Sequence, residues 1–284
     1  MRLSRLLPAL PVAVRPALIL AVLPALPMAP LSELTTGLAA QDEAVVAVLR
    51  FDNNTGDDKY KHLGRALSSM MISDLSVLEE IKLVERERLE ELIAELDLQQ
   101  SAYVDPASAQ DIGMIIGAQY VVAGAFVTAE PEMRLDTRVA KVETSEIVTT
   151  AEVRGESESL FDLQQRLADE LVQSFQLVLT EEQRARLRAQ QESNRIDDMD
   201  TVLAYSQALC LLDYGEYVEA FEIMQDVEAA APGSALVRAM VNNLRDRAED
   251  SARDRIRDEA NSRIGGLLGR NRSRQPDRRP ANPC

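Results

Sequence analysis

The sequence predicts an α/β fold: a mixed sheet with parallel strand-helix-strand units and a C-terminal antiparallel hairpin, covered by helices and followed by a small all-α module. Three observations predict it. Ala44 to Leu92 reads as an apolar strand, a polar Asn/Gly/Asp turn, a long amphipathic helix, a second strand and a second helix, and such a crossover makes its two strands parallel neighbours. Tyr120 to Val127 is apolar throughout, whereas Met133 to Val142 and Ile147 to Val153 alternate. A strand buried on both faces is therefore followed by a half-exposed hairpin. From Asp200 onward the apolar residues recur at helical spacing.

Met1 to Ala40 reads as a secretory signal. Arg2, Arg5 and Arg15 are basic, Ala17 to Leu31 is apolar, and Gly37-Leu38-Ala39-Ala40 offers small residues for cleavage before Gln41. A membrane helix would need about 20 uninterrupted apolar residues, and Pro24, Pro27 and Pro30 break the run. Acylation needs a cysteine at the cleavage site; the first is Cys210, so no lipid anchor is expected.

In the first unit, Val45, Val46, Val48 and Phe51 form the strand, and Asp52 to Gly56 turn the chain. Tyr60, Leu63, Leu67, Met70, Met71, Leu75 and Leu78 form the apolar stripe of the next helix, leaving Lys59, Lys61, Arg65 and Asp74 wet. Ile81 to Val84 is the returning strand, and Leu89, Leu92, Ile93 and Leu96 share one side of a second helix. After a loop at Leu98 to Asp105, Pro106 opens a third helix with Ala109, Ile112, Ile115 and Ile116 inward and Gly117 as its stop. On the hairpin, Met133, Leu135, Thr137 and Val139 take one face and Arg134, Asp136 and Arg138 the other. Leu160, Leu163, Leu167, Leu171 and Phe175 mark a long helix that packs back on the sheet.

The order of these residues resembles the curli production assembly/transport component (CsgG-type) family, and more loosely the periplasmic penicillin-binding-protein activator lipoproteins and TolB-like amino-terminal domains. Phe51-Asp52-Asn53-Asn54-Thr55-Gly56-Asp57, Leu63-Gly64, Ser73-Asp74-Leu75 and Leu83-Val84-Glu85-Arg86-Glu87-Arg88-Leu89 carry the resemblance. Leu98-Gln99-Gln100-Ser101, Val104-Asp105-Pro106 and Gly117 to Gly124 continue it in the family's order over about half the chain. Ser145 stands in the hairpin turn where the family usually carries glycine. The family's pore is a barrel of transmembrane hairpins, and its pattern includes a lipid anchor. Here the hairpin's outward face carries Arg134, Asp136, Arg138, Glu152 and Arg154, and basic groups near a bilayer centre cost about 2 to 4 kcal/mol each. The expectation is a mature protein in the periplasm, at most peripheral at the outer membrane.

The sequence divides into a signal at 1–40, an α/β domain at 41–179, a charged helical linker at 180–199, a helical module at 200–263 and a disordered basic tail at 264–284. Asp200 to Pro232 resembles one tetratricopeptide repeat, with Ala208 at the small position of its first helix, Tyr217 and Ala220 opening the second and Pro232 closing it. One repeat cannot bury its stripe alone, so it must cap the first domain, pair with another subunit or hold a peptide. Five arginines between Arg270 and Arg279 make the tail basic on an acidic protein.

Of 284 residues 46% are hydrophobic and 27% charged, enough for one medium core and a smaller module. Without Arg2, Arg5, Arg15 and Glu33 the formal charge goes from -16 to -18, which disfavours nucleic acid, since phosphate binding needs a basic face. Cys210 lies in an apolar helical pattern and is expected as a buried free thiol. His62, the single histidine, is placed on the polar side of its helix. One histidine assembles neither a histidine metal cluster nor a serine-histidine triad. Asp52, Asn54, Asp57 and Asp58 are oxygen ligands near one turn, but Asx-rich turns normally cap the following helix. No catalytic residue, metal or cofactor is expected.

Function is thus expected through protein contacts, with Arg134, Asp136, Arg138, Tyr205 and Tyr217 as candidate interaction residues. By its resemblance the protein is an envelope assembly or secretion component that contacts itself or an exported client. The alternative is a periplasmic module that activates a cell-wall enzyme through the strand face around Arg134, Asp136 and Arg138.

Overall fold

The structure, a computed structural model, describes residues 43–95, 106–175, 179–267 and 284. The strands are β1 (Ala44–Val48), β2 (Asp52–Asn53), β3 (Ile81–Leu83), β4 (Tyr120–Ala129), β5 (Glu132–Lys141) and β6 (Glu146–Glu156). The helices are α1 (Leu63–Leu75), α2 (Arg86–Glu95), α3 (Pro106–Ile116), α4 (Leu160–Ser174), α5 (Glu181–Ser193), α6 (Met199–Asp213), α7 (Tyr217–Ala230) and α8 (Ala235–Leu267). The sheet runs β3-β1-β4-β5-β6, with the short β2 also beside β4. β1 is parallel to β3 and to β4, and β4, β5 and β6 are antiparallel. The expected mixed α/β sheet is therefore present, with β4 central.

Each face of the sheet carries its own apolar set because strand side chains alternate. Val46, Val48, Val122, Phe126, Leu135, Val139 and Val153 face α1 and α4. Ala47, Leu49, Val121 and Ala123 face the other way, toward Leu89 and Ile93 of α2 and Ala109 and Ile112 of α3. α3 approaches closely: a Cβ on Gly113 would lie 2.5 Å from a Val142 methyl and 2.8 Å from one of Val121. Close packing explains that glycine, and Gly117 ends the helix at φ +71°. Ile115, expected inward, is instead 54% exposed, because the helix turns Ala109, Ile112 and Gly113 to the sheet.

α1 differs most from expectation. The regular helix starts at Leu63, after a 3-10 turn at Asp58–Tyr60 capped by Asp57. Its Arg65 and Asp74, expected wet, are both buried, because α5 and α6 cover the side that the sheet leaves free. Arg65 Nε donates to Asp213 Oδ2 at 2.9 Å, and Arg86 Nη1 of α2 donates to Asp213 Oδ1 at 2.6 Å. Asp74 accepts from Gln164 of α4 and from Asn194, just past α5, each at 2.8 Å.

The segment expected as a linker is consequently a packed helix. α5 starts with a capping box between Thr180 and Gln183, and Leu179, Leu187 and Ile196 join the core of the sheet and α1. That core runs on through Val202, Leu209, Ala220, Met224 and Leu244, so the expected boundaries at 179 and 199 fall inside it, and Gln41–Cys284 forms one compact unit. The helical hairpin of α6 and α7 has Ala208 and Ala220 fully buried, and it caps α1. Cys210 is not a free thiol but is bonded to Cys284; burial in α6 alone could not show which partner reaches it. α8 extends to Leu267, into the stretch expected as disordered tail. The secretory signal, the 98–105 loop and tail residues 268–283 lie outside the described residues.

Candidate protein-contact surface

Among the described residues, the helix cover of the second face stops partway across the sheet. α3 meets the hairpin at its turn end, where Gln110 Nε2 donates to Val142 O at 2.8 Å. Beyond it the register sets Ala123, Arg138 and Thr150 in one row, Ala125, Asp136 and Glu152 in the next, and Val127, Arg134 and Arg154 in the third. Alternation points Met133, Leu135 and Thr137 into the core and leaves these rows on the open face. Ala123 and Ala125 give a low floor. With Asn54, Arg134, Asp136, Arg138, Ile147 and Glu152 they line an open groove of about 540 Å³.

Most charges in the groove are already paired along their own strands. Arg134 Nε meets Asp136 Oδ2 at 2.9 Å, and Arg154 Nε meets Glu152 Oε1 at 2.7 Å. That hydrogen bond holds the Glu152 carboxyl below its usual range. Asp52, opposite Ala125 across β2, is pushed up to about 6 by burial, against the pull of Arg50 and then Arg138. At the turn end of β6, Thr149 pairs with Val139 and Ile147 with Ala140, so Val148 is the extra residue of a bulge. Ile147 and Val148 are 45% and 43% exposed there, and Ser145 takes φ +58° in the turn.

Arg134, Asp136 and Arg138 thus stand together as the sequence predicts. The two tyrosines do not join them. Tyr205 is fully buried in α6, its hydroxyl 2.8 Å from Ser69 Oγ of α1, and burial pushes it up to about 12. It cannot reach a partner; the packing of α6 on α1 consumes it. Tyr217 opens α7 half-buried, with the Arg247 guanidinium 5.9 Å from its ring centre. Sequence reasoning missed Asp52, Asn54, Thr150 and Ile147 as parts of this surface. The hairpin register carries the signal for Thr150, but a two-residue β2 has no periodicity to read.

His62 is not on a wet helix face either. It sits half-buried just before α1, and neither ring nitrogen has a hydrogen-bond partner. Burial lowers it to about 4, helped by the charges of Arg65, Lys61 and Arg50. The Asx turn uses its side chains locally: Asn53 Oδ1 accepts from Thr55 N and Asp57 Oδ1 from Lys59 N, both at 2.8 Å. Among the described residues no cluster of three or more His, Cys, Asp or Glu is placed to hold a metal. Nor is any described helix long and apolar enough to cross a membrane.

Compared with known proteins, residues 28–132 match the family model of the curli production assembly/transport component CsgG. Solved structures with similar parts include the LpoB C-terminal domain from Salmonella enterica, at 20% identity and TM-score 0.35, covering 40% of this chain and 84% of that one. Lipoprotein GNA1162 from Neisseria meningitidis gives 14% identity and TM-score 0.36 over 46% and 97% of the two chains. The PelC dodecamer from Paraburkholderia phytofirmans gives 18% and 0.31 over 49% and 91%. No curated protein matches the chain.

Proposed function

We propose, from the match of residues 28–132 to the CsgG family model, that the chain is a non-enzymatic cell-envelope protein. It works in assembly or secretion by holding another protein on the uncovered part of its sheet. One observation carries this reading: among the described residues, the second face of the sheet loses its helix cover over β4 to β6, where small floor residues and Arg134, Asp136 and Arg138 line the groove. A mixed-charge face with an apolar end at Ile147 and Val148 offers paired hydrogen bonds and a local hydrophobic contact, as a polar-rimmed protein interface does. Nothing in it resembles a reaction centre, since the one histidine lies outside it and has unpartnered, buried nitrogens.

In this reading residues 1–40 export the chain, and the mature protein stays in the periplasm or peripherally at the outer membrane. Carbonate washing of isolated membranes should release it; retention in the pellet contradicts that placement. For the contact itself, the full chain is isolated from its native envelope after reversible crosslinking, as wild type and as Arg138→Glu. The wild type should carry a partner and the variant should lose it at unchanged unfolding temperature. Equal capture by both removes this face from the proposal. A partner that is a second copy or an exported client fits assembly, whereas stimulation of a purified peptidoglycan synthase decides for the cell-wall alternative.

A further inference from the structure

Asp74 is a carboxyl group with no exposure to solvent, placed where α1, α4 and α5 meet. Its two hydrogen-bond donors are neutral amides, Gln164 Nε2 on Oδ2 and Asn194 Nδ2 on Oδ1, each at 2.8 Å. Asn194 also reaches Ser73 Oγ at 2.9 Å, and its backbone carbonyl accepts from Ser234 Oγ at 3.1 Å, at the start of α8. One cluster therefore ties the α1 layer to the helices that follow it.

The charges around the cluster do not neutralise Asp74. From α4 the charge that acts on Asp74 is Asp169, of the same sign, and at the end of α5 Gln190 bonds Ser73 and Asn194 bonds Asp74. Arg188 is turned to Asp169, and Arg195 to Asp162, Glu192 and Asp197. On α1 and α2, Arg65 and Arg86 are held by Asp213. An ionised carboxylate buried without a cation is costly. At the same place Gln164 Oε1 and Asn194 Oδ1 are buried with no donor; because the amide nitrogens now sit on Asp74, an O–H on the carboxyl finds an acceptor among these oxygens once one amide turns over.

We propose that Asp74 is a proton-binding latch across the α1, α4 and α5 seam, taking up a proton in mild acid and tightening the attachment of the helical layer. Burial, with Asp169 adding to it, raises the carboxyl from 3.8 to about 6 against the two amide bonds. The sign follows from linkage: a carboxyl raised on folding stabilises the packed state fully below 3.8, and that stabilisation is lost as pH rises through about 6. His62 acts oppositely over a neighbouring range, since its lowered value favours the folded chain above 6.5 and that advantage fades toward 4. The readout must therefore be the difference between wild type and a variant at Asp74.

The experiment is urea unfolding of the full chain, wild type and Asp74→Asn, at pH 7.5 and pH 5. Between these the wild-type folding constant should gain about tenfold relative to the variant, as a carboxyl raised from 3.8 to about 6 dictates. A carbon-13 carboxyl titration of aspartate-labelled protein gives a second answer: Asp52 and Asp74 should both titrate near 6, and the midpoint that disappears in Asp74→Asn belongs to Asp74. A wild-type-to-variant ratio that does not change with pH, or an Asp74 midpoint below 4, overturns the latch.

Discussion

The two faces of the sheet differ in what covers them. On one, Val48, Val122, Phe126, Leu135 and Val153 meet α1 and α4, and the core continues into α5, α6, α7 and α8. On the other, α2 and α3 cover Ala47, Leu49 and Val121, and past Ala123 the face turns to Arg138, Asp136 and Arg134. Strands β4 and β5 thus serve both: the same backbone holds a core on one side and presents charges on the other. On the proposed reading stability belongs to the first face and recognition to the second, and substitutions should separate them.

The largest effect should come from deleting residues 180–284. This strips α5 and α6 from α1 and leaves Arg65, Ser69 and Asp74 without Asp213, Tyr205 and Asn194. Calorimetry should then show no cooperative transition, and a sharp one would mean that the first face is complete without the helical layer. Next, Asp213→Ala removes the shared partner of two buried guanidinium groups and leaves Arg86 only the longer contact to Glu87 at 3.9 Å. It should cost about 3 to 5 kcal/mol in urea unfolding. Cys284→Ser removes a disulfide that closes a sequence separation of 74 and should cost about 4 kcal/mol; with both proteins reduced, the difference between wild type and variant should vanish. On the second face, Arg138→Ala should stay within about 0.5 kcal/mol of wild type, because its half-exposed side chain acts on Asp52 only after burial and Arg50. A loss of several kcal/mol there would show that the open face also holds the fold together.

Much of the first face was legible in sequence. The apolar runs at Val45 to Leu49 and Val121 to Phe126 announce two-sided burial, and strict alternation from Met133 to Val139 gives the hairpin and the charged row. Gly117 marks a helix end because its positive φ suits that residue. What failed depends on distant partners. Arg65 and Asp74 look solvated beside their neighbours, but Asp213 lies 148 residues from Arg65 and Asn194 lies 120 from Asp74. α5 reads as a linker because only Leu187 and Gln191 along it are buried, and its attachment rests on polar bonds from Gln190 to Ser73 and Gln183 to Glu80. Tyr205 was misjudged for the same reason: an aromatic polar tip is compatible with an interface or with a buried hydroxyl pair, and only the position of Ser69 decides between them.

The central claim is that the uncovered rows of β4 to β6 contact a partner while the helix-covered side does not. Its most direct measurement places a photocrosslinking amino acid at Thr150 in the open groove, and separately at the exposed Gln173 of α4, on the helix-covered side, in the full chain within its native envelope. The account predicts a discrete crosslinked product from Thr150, abolished by Arg138→Glu, and none of that size from Gln173. The same product from both positions, or a Thr150 product indifferent to Arg138→Glu, would contradict it.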